Sequence, residues 1–220
     1  MRFSYLKTLK RYGMQSPVKI VAICGSLRPE SYTRKALNIV LRGAKEAGAE
    51  TELLDLKDYQ LVFCGSNIDD DGNEMEYPQD VLNLRAKVKV ADGIILGTPE
   101  YHASYSGVLK NALDLMACEQ FEGKMVGLVG VSSGALGANT AINSLRSVGR
   151  SLHAWVVPEQ VSIPFVDSAF DANGEALNSE TNQRLIGLGL QVARFATLHN
   201  SSHAQEFIKA WEAAPQNPAV

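Results

Sequence analysis

Ile20-Val21-Ala22-Ile23-Cys24-Gly25-Ser26-Leu27-Arg28-Pro29-Glu30-Ser31-Tyr32-Thr33-Arg34-Lys35 is the stretch that decides the fold. It opens with an apolar run rich in Val and Ile, as a strand buried on both faces requires. The run stops at Gly25, and hydroxyls, an arginine and a proline follow. From Tyr32 the apolar positions Ala36, Leu37, Val40, Leu41 and Ala44 recur at helical spacing. The order is strand, polar turn, helix. In an open parallel sheet such a turn lies at the carboxyl end of its strand, where ligands bind. A helix N-terminus aims free N–H groups and the positive end of its dipole into that turn. Ser26, Ser31 and Thr33 add hydroxyl donors and Arg28 adds a charge, a cradle suited to a phosphate monoester. The same residues also read as an ordinary turn whose helix is capped by Ser31.

The strand–helix alternation continues along the chain. The pattern predicts strands at Glu50–Leu56, Gly93–Thr98, Met125–Val131 and His153–Val161, with Pro158 marking an edge position or a bulge. Helices are expected from Pro78 to just before Gly93, over Val108–Met116, over Asn139–Ser151 and over Ser179–Thr197. Gly48 reads as the cap that ends the first helix. Five strands alternating with five helices predict a doubly wound α/β sheet in one domain, 17–212. Residues 213–220, with two prolines, read as a loose tail. Residues 1–16 carry four basic side chains, no acid and no apolar segment, and read as a flexible extension.

Composition narrows the function. A net charge of −3 argues against a nucleic-acid surface, and no apolar run approaches a membrane span. Cys24, Cys64 and Cys118 lie far apart, without a metal-ligand pattern, and read as reduced thiols of a cytoplasmic protein. The acidic run Asp69-Asp70-Asp71-Gly72 fails as a calcium loop, because Pro78 stands where a bidentate glutamate is needed. There is neither a Walker lysine loop nor a GxGxxG fingerprint after the first strand.

Three turns carry the chemistry. The first holds the phosphate. The third, from Pro99 through Glu100, Tyr101 and His102 to Ser104, is placed to run past one side of a planar ring. The fourth, Ser132-Ser133-Gly134-Ala135-Leu136-Gly137, offers main-chain N–H groups, with Gly134 and Gly137 allowing close approach.

GSLRPESYTRKAL, then GTPEYHASYSGVLKNALDL, then SSGALGA resembles the NADPH-dependent FMN reductase family of flavodoxin-like proteins, over about residues 18–200. The resemblance implies a flavodoxin-like three-layer α/β sandwich, with a five-stranded parallel sheet in the order 2-1-3-4-5. It implies FMN and NADPH as cofactors. It places Ser26, Arg28, Ser31, Tyr32 and Thr33 at the FMN phosphate, and Pro99, Glu100, Tyr101 and His102 along the ribityl chain and ring edge. Position 102 is often asparagine in the family. Ser132, Ser133, Gly134 and Ala135 go to the pyrimidine end of the ring. Hydride is expected to pass from NADPH through FMN to a flavin, quinone, azo dye or other small acceptor, with no catalytic side chain. A homodimer or homotetramer is implied, with the segments 57–77 and 165–178 as contacts.

Two other readings use the same residues. One is a non-catalytic FMN electron carrier. The other is a serine hydrolase, since Gly130-Val131-Ser132-Ser133-Gly134 fits GxSxG, with Asp167 or Asp171 and then His199 or His203 following in order. Asn111 and Asp114 read as pins of the turn before their helix, Trp155 and Trp211 as packing or interface residues, and Cys24 as a small core residue.

Overall fold

Every residue from Ile20 to Cys24 is fully buried, because this strand has neighbours on both edges and helices on both faces. The structure is a computed structural model, described over residues 16–68 and 75–213. The expected extension up to Gln15, the acidic run Asp69–Gly72 and the tail beyond Ala213 lie outside the described residues. β1 (Lys19–Cys24) pairs in parallel with β2 (Glu50–Asp55) and β3 (Gly93–Tyr101). β3 pairs with β5 (Met125–Val131), which pairs with β6 (Trp155–Ile163). The order β2-β1-β3-β5-β6 is the predicted 2-1-3-4-5 path of five parallel strands.

The prediction missed a sixth strand. β4 (Ser104–Tyr105) folds back antiparallel on the end of β3, so Pro99–Tyr101 belong to a strand and not to a turn. The two residues between the strands, His102 and Ala103, both have positive φ, 49° and 59°. That is the signature of a type I′ hairpin, which sequences usually announce with Asn-Gly. His-Ala does not announce it.

The helices are α1 (Tyr32–Glu46), α2 (Gln79–Lys89), α3 (Gly107–Asp114), α4 (Cys118–Phe121), α5 (Asn139–Ser151), α6 (Ser179–His199) and α7 (Ser202–Glu212). Alternate strand residues feed two cores. Ile20, Ala22 and Ile95 pack under α1 and α6, while Val21, Ile23 and Ile94 pack under α2, α3 and α5. This is the three-layer sandwich. α1 and α6 approach so closely that a Cβ on Gly43 would collide with the Ile186 carbonyl, and one on Gly189 with that of Val40.

Other boundaries moved for local reasons. β6 starts two residues later than predicted, because His153 takes a left-handed conformation (φ 61°) where the chain leaves α5. Pro158 lies in the edge strand, where the β5–β6 register shifts, as expected of it. The short α4 and the terminal α7, which buries none of its residues, were not anticipated. Trp155 and Trp211 are exposed and do not pack in the core. Asn111 does not pin its own turn. It reaches the connection after β2, donating to the Val62 carbonyl (2.9 Å) and accepting from the Cys64 N–H (3.1 Å). Asp114 pairs instead with Lys110 along α3 (2.6 Å).

One latch positions the carboxyl edge of the sheet. The Gly25 N–H donates to the Gly97 carbonyl (2.8 Å), and the Ser106 hydroxyl donates to the Gly25 carbonyl (2.6 Å). The same hydroxyl accepts from the Leu109 N–H (3.2 Å) and so caps α3. Ser106→Ala strands two buried polar groups and is expected to lower stability by about 2 kcal/mol, read by urea denaturation. Gly189→Ala is expected to cost about 2–3 kcal/mol or more in the same assay, because backbone stands where the methyl must go.

Candidate functional site

The carboxyl ends of β1, β3 and β5 converge on a cavity of about 300 Å3. Ser26, Arg28, Tyr32 and Thr33 reach it from the first turn. Thr33 is the second residue of α1, and its hydroxyl is buried without a hydrogen-bond partner among the described residues. The N–H groups of Ser26, Tyr32 and Thr33 likewise have no protein acceptor among the described residues. Such donors at a helix head select an anion. Ser31 does not line the cavity. Its hydroxyl accepts from the Arg34 N–H (3.2 Å) as the helix cap, the ligand-free reading of that residue. Arg28 is exposed, with its guanidinium carbon 5.9 Å from the Tyr101 ring centroid. Cys24 is buried below the turn, its sulfur 4.0 Å from both the Ser26 carbonyl oxygen and the Ser31 hydroxyl. Burial pushes its thiol up, which fits an inert core residue.

From β3, Pro99, Glu100 and Tyr101 line the cavity. The Glu100 carboxylate is already engaged, accepting from the Ala141 N–H (2.9 Å) at the head of α5. Ala138, the residue at the capping position of α5, supplies no side-chain cap. His102 lies exposed in the hairpin loop and does not line the cavity.

From β5, Ser132, Ser133 and Gly134 line the cavity, whereas Ala135 does not. The turn is pinned at its base, with the Ser132 N–H donating to Ile163 (3.0 Å) and the Gly134 N–H to the Ser132 hydroxyl (3.2 Å). The Ser133 N–H has no protein acceptor among the described residues.

Val131, Val166 and Asp167 also line the cavity and were not assigned there from the sequence. The last two come from a strap, residues 165–178, that crosses back over α1. The strap is held by Tyr32 stacked on Phe170 (6.2 Å) and by two Arg42–Glu175 bonds (2.6 and 2.8 Å). The Val166 N–H donates to the Ser132 carbonyl (3.1 Å), which sets Asp167 beside the fourth turn. The cavity therefore has a cation at its first turn and a carboxylate beside its fourth. No periodicity marks an irregular strap, so only an apolar residue followed by Asp after the last strand could have signalled it.

The hydrolase reading fails on distance. Asp167 is near Ser132, but His199 sits beside Gly123, just before the amino end of β5, and His203 is the second residue of α7, four positions after His199. Ser132 follows the carboxyl end of that seven-residue strand, about 20 Å away at the usual rise per residue. Among the described residues no cluster of His, Cys, Asp or Glu could hold a metal, and no helix is long and apolar enough to cross a membrane.

Known proteins resemble this chain in sequence and fold. A sequence profile of the NADPH-dependent FMN reductase family matches residues 18–167. The FMN-dependent NADPH-azoreductase of Staphylococcus aureus is 36% identical over 160 residues, covering 71% of this chain and 82% of that one. FerB of Paracoccus denitrificans, a flavoenzyme NAD(P)H:(acceptor) oxidoreductase, superposes with a TM-score of 0.64 at 26% identity, over 83% of this chain and 98% of its own. A flavodoxin from the Archaea shares the fold alone, with a TM-score of 0.56 at 13% identity, covering 81% of this chain and 97% of that one. With the free donors of the helix head, the cavity at the strand ends and the profile match falling on the same residues, the chain belongs to the NADPH-dependent FMN reductase family.

Proposed function

We propose that this protein is an FMN-dependent reductase that passes hydride from NADPH to a small, flat, conjugated acceptor such as an azo dye, a quinone or a free flavin. The observation that carries the reading is the buried, unpartnered Thr33 hydroxyl at the head of α1, beside Arg28 and three free N–H groups. A buried hydroxyl without a partner costs stability unless a ligand uses it, and a phosphate oxygen is the acceptor its surroundings suit. The residues present thus fit the phosphate end of FMN.

In this reading Thr33, Arg28 and the N–H groups of Ser26, Tyr32 and Thr33 hold the phosphate. The backbone of Pro99–Tyr101 and the Tyr101 ring flank the ribityl chain and the ring edge. The Ser133 N–H and Asp167 face the pyrimidine end, where a donor and an acceptor match its carbonyls and its N–H. FMN, when bound, supplies the hydride and electron chemistry. The chain needs no nucleophile or general base, which accords with a site whose carboxylate Glu100 is spent on capping a helix. Ser31, His102 and Ala135 act at one remove, through the helix cap, the hairpin loop and the fourth turn.

A second copy of the chain is proposed to complete the open side, since Leu27, Phe63 and Ile68 are exposed around the first turn and the connection after β2. Three free cysteines accord with a cytoplasmic setting.

The purified protein reconstituted with FMN is expected to show the visible absorbance of oxidised flavin and to bleach anaerobically on adding NADPH. Protein that does not bleach is an electron carrier, and protein that takes up no flavin overturns the reading. Arg28→Ala is expected to weaken FMN binding about tenfold or more, as loss of a charge-assisted phosphate contact should. Thr33→Val is expected to weaken FMN binding and to stabilise the flavin-free protein, because it removes the unpartnered hydroxyl. Flavin fluorescence titration and thermal unfolding read the two effects.

A further inference from the structure

We infer that Arg34 and Asp55 form a positioning pair that shapes the phosphate turn and makes the site prefer a phosphorylated flavin. This rests on the FMN reading above. Arg34 is the third residue of α1, and its guanidinium spans three acceptors at once. Nη1 donates to the Pro29 carbonyl (2.7 Å), Nη2 to the Arg28 carbonyl (3.2 Å), and Nε to the Asp55 carboxylate. Asp55 ends β2, directly beside Cys24 at the end of β1, and is buried (6% exposed). Its hydrogen bond to Arg34 raises the Arg34 pKa further, so the cation is permanent.

The geometry has two consequences for an anion in the turn. The Pro29 carbonyl stands opposite the Glu30 N–H, whereas the Arg28 carbonyl has no N–H opposite it, because Pro29 follows. By drawing the carbonyls of Arg28 and Pro29 toward itself, Arg34 holds these negative dipole ends in its own fork. The turn's free donors are then left to the ligand. The second consequence is charge. Asp55 lies at the same sheet edge as the phosphate turn and would repel a dianion at short range. Arg34 neutralises it and leaves Arg28, which makes no ion pair among the described residues, as an uncompensated cation at the turn. Lysine cannot replace Arg34, because a single ammonium lacks the planar fork that reaches two carbonyls and a carboxylate together.

The test is the ratio of FMN to riboflavin affinity, measured by fluorescence titration for the parent, Arg34→Lys, Arg34→Gln and Asp55→Asn, with circular dichroism as the check on folding. A merely structural loss lowers both affinities together. The positioning role lowers FMN affinity about tenfold or more in both Arg34 variants, while riboflavin affinity changes by less than about threefold. Asp55→Asn keeps an acceptor for Nε while it removes the repelling carboxylate and leaves Arg34 cationic, so it is expected to raise the ratio by about threefold. An unchanged ratio in folded Arg34 variants overturns the inference. If those variants do not fold, an unchanged ratio in Asp55→Asn overturns it. A parent protein that binds riboflavin as tightly as FMN overturns the phosphate reading itself, and this inference with it.

Discussion

Leu109 Cβ and the Gly97 carbonyl oxygen stand 2.7 and 2.9 Å from where a side chain on Gly25 would begin. β1 can end against β3 in this way only because residue 25 has no side chain. The rest of the ligand-binding edge depends on that contact. It lets the Gly25 N–H reach Gly97, lets Ser106 close over the Gly25 carbonyl, and thereby seats α3 and the β3–β4 hairpin beside the first turn. The core below is conventional, with alternate strand residues filling two apolar layers. What distinguishes the molecule is that its polar edge is tied together by a few buried bonds of side chain to main chain.

Those bonds divide the labour at the site. Ser31, Ser106 and Glu100 spend their side chains on helix heads, and Arg34 spends its own on two carbonyls and Asp55. Thr33 and Arg28 are left without such partners, at a helix start whose first N–H groups are also free. A rigid scaffold of satisfied groups thus presents a small set of unsatisfied ones, the arrangement that selects a ligand without reorganisation on binding. The chemistry of a flavin then needs only to be held and shielded.

How much of this was legible follows from the range of each signal. Strands β1, β2 and β5 and the helix α1 could be read because burial imposes a local period, and Gly48, with φ 91°, ends α1 as a glycine should. That Ser26, Arg28, Tyr32 and Thr33 would face the strand ends was legible because a helix start has a local chemistry of hydroxyls and free N–H groups, while Ser31 went to the helix cap. The β3–β4 hairpin was hidden because His102 and Ala103 are poor markers of the left-handed turn they form. The strap that brings Val166 and Asp167 to the cavity was hidden because its anchors, Tyr32–Phe170 and Arg42–Glu175, join residues more than a hundred positions apart.

By itself the sequence determined that β-to-α turns would meet at one edge of a doubly wound sheet, and that the first of them would carry hydroxyls, an arginine and a helix start. Period, glycine placement and helix-start chemistry are local properties, and the chain carries them wherever it goes. Only the tertiary structure decided which candidates face the cavity and which serve the scaffold. Ser31 and Ser106 are both serines at helix starts, and Arg28 in the first turn and Arg34 at the head of α1 are both arginines six positions apart. Their roles are set by which carbonyl, carboxylate or helix head the fold brings within about 3 Å, the reach of a hydrogen bond.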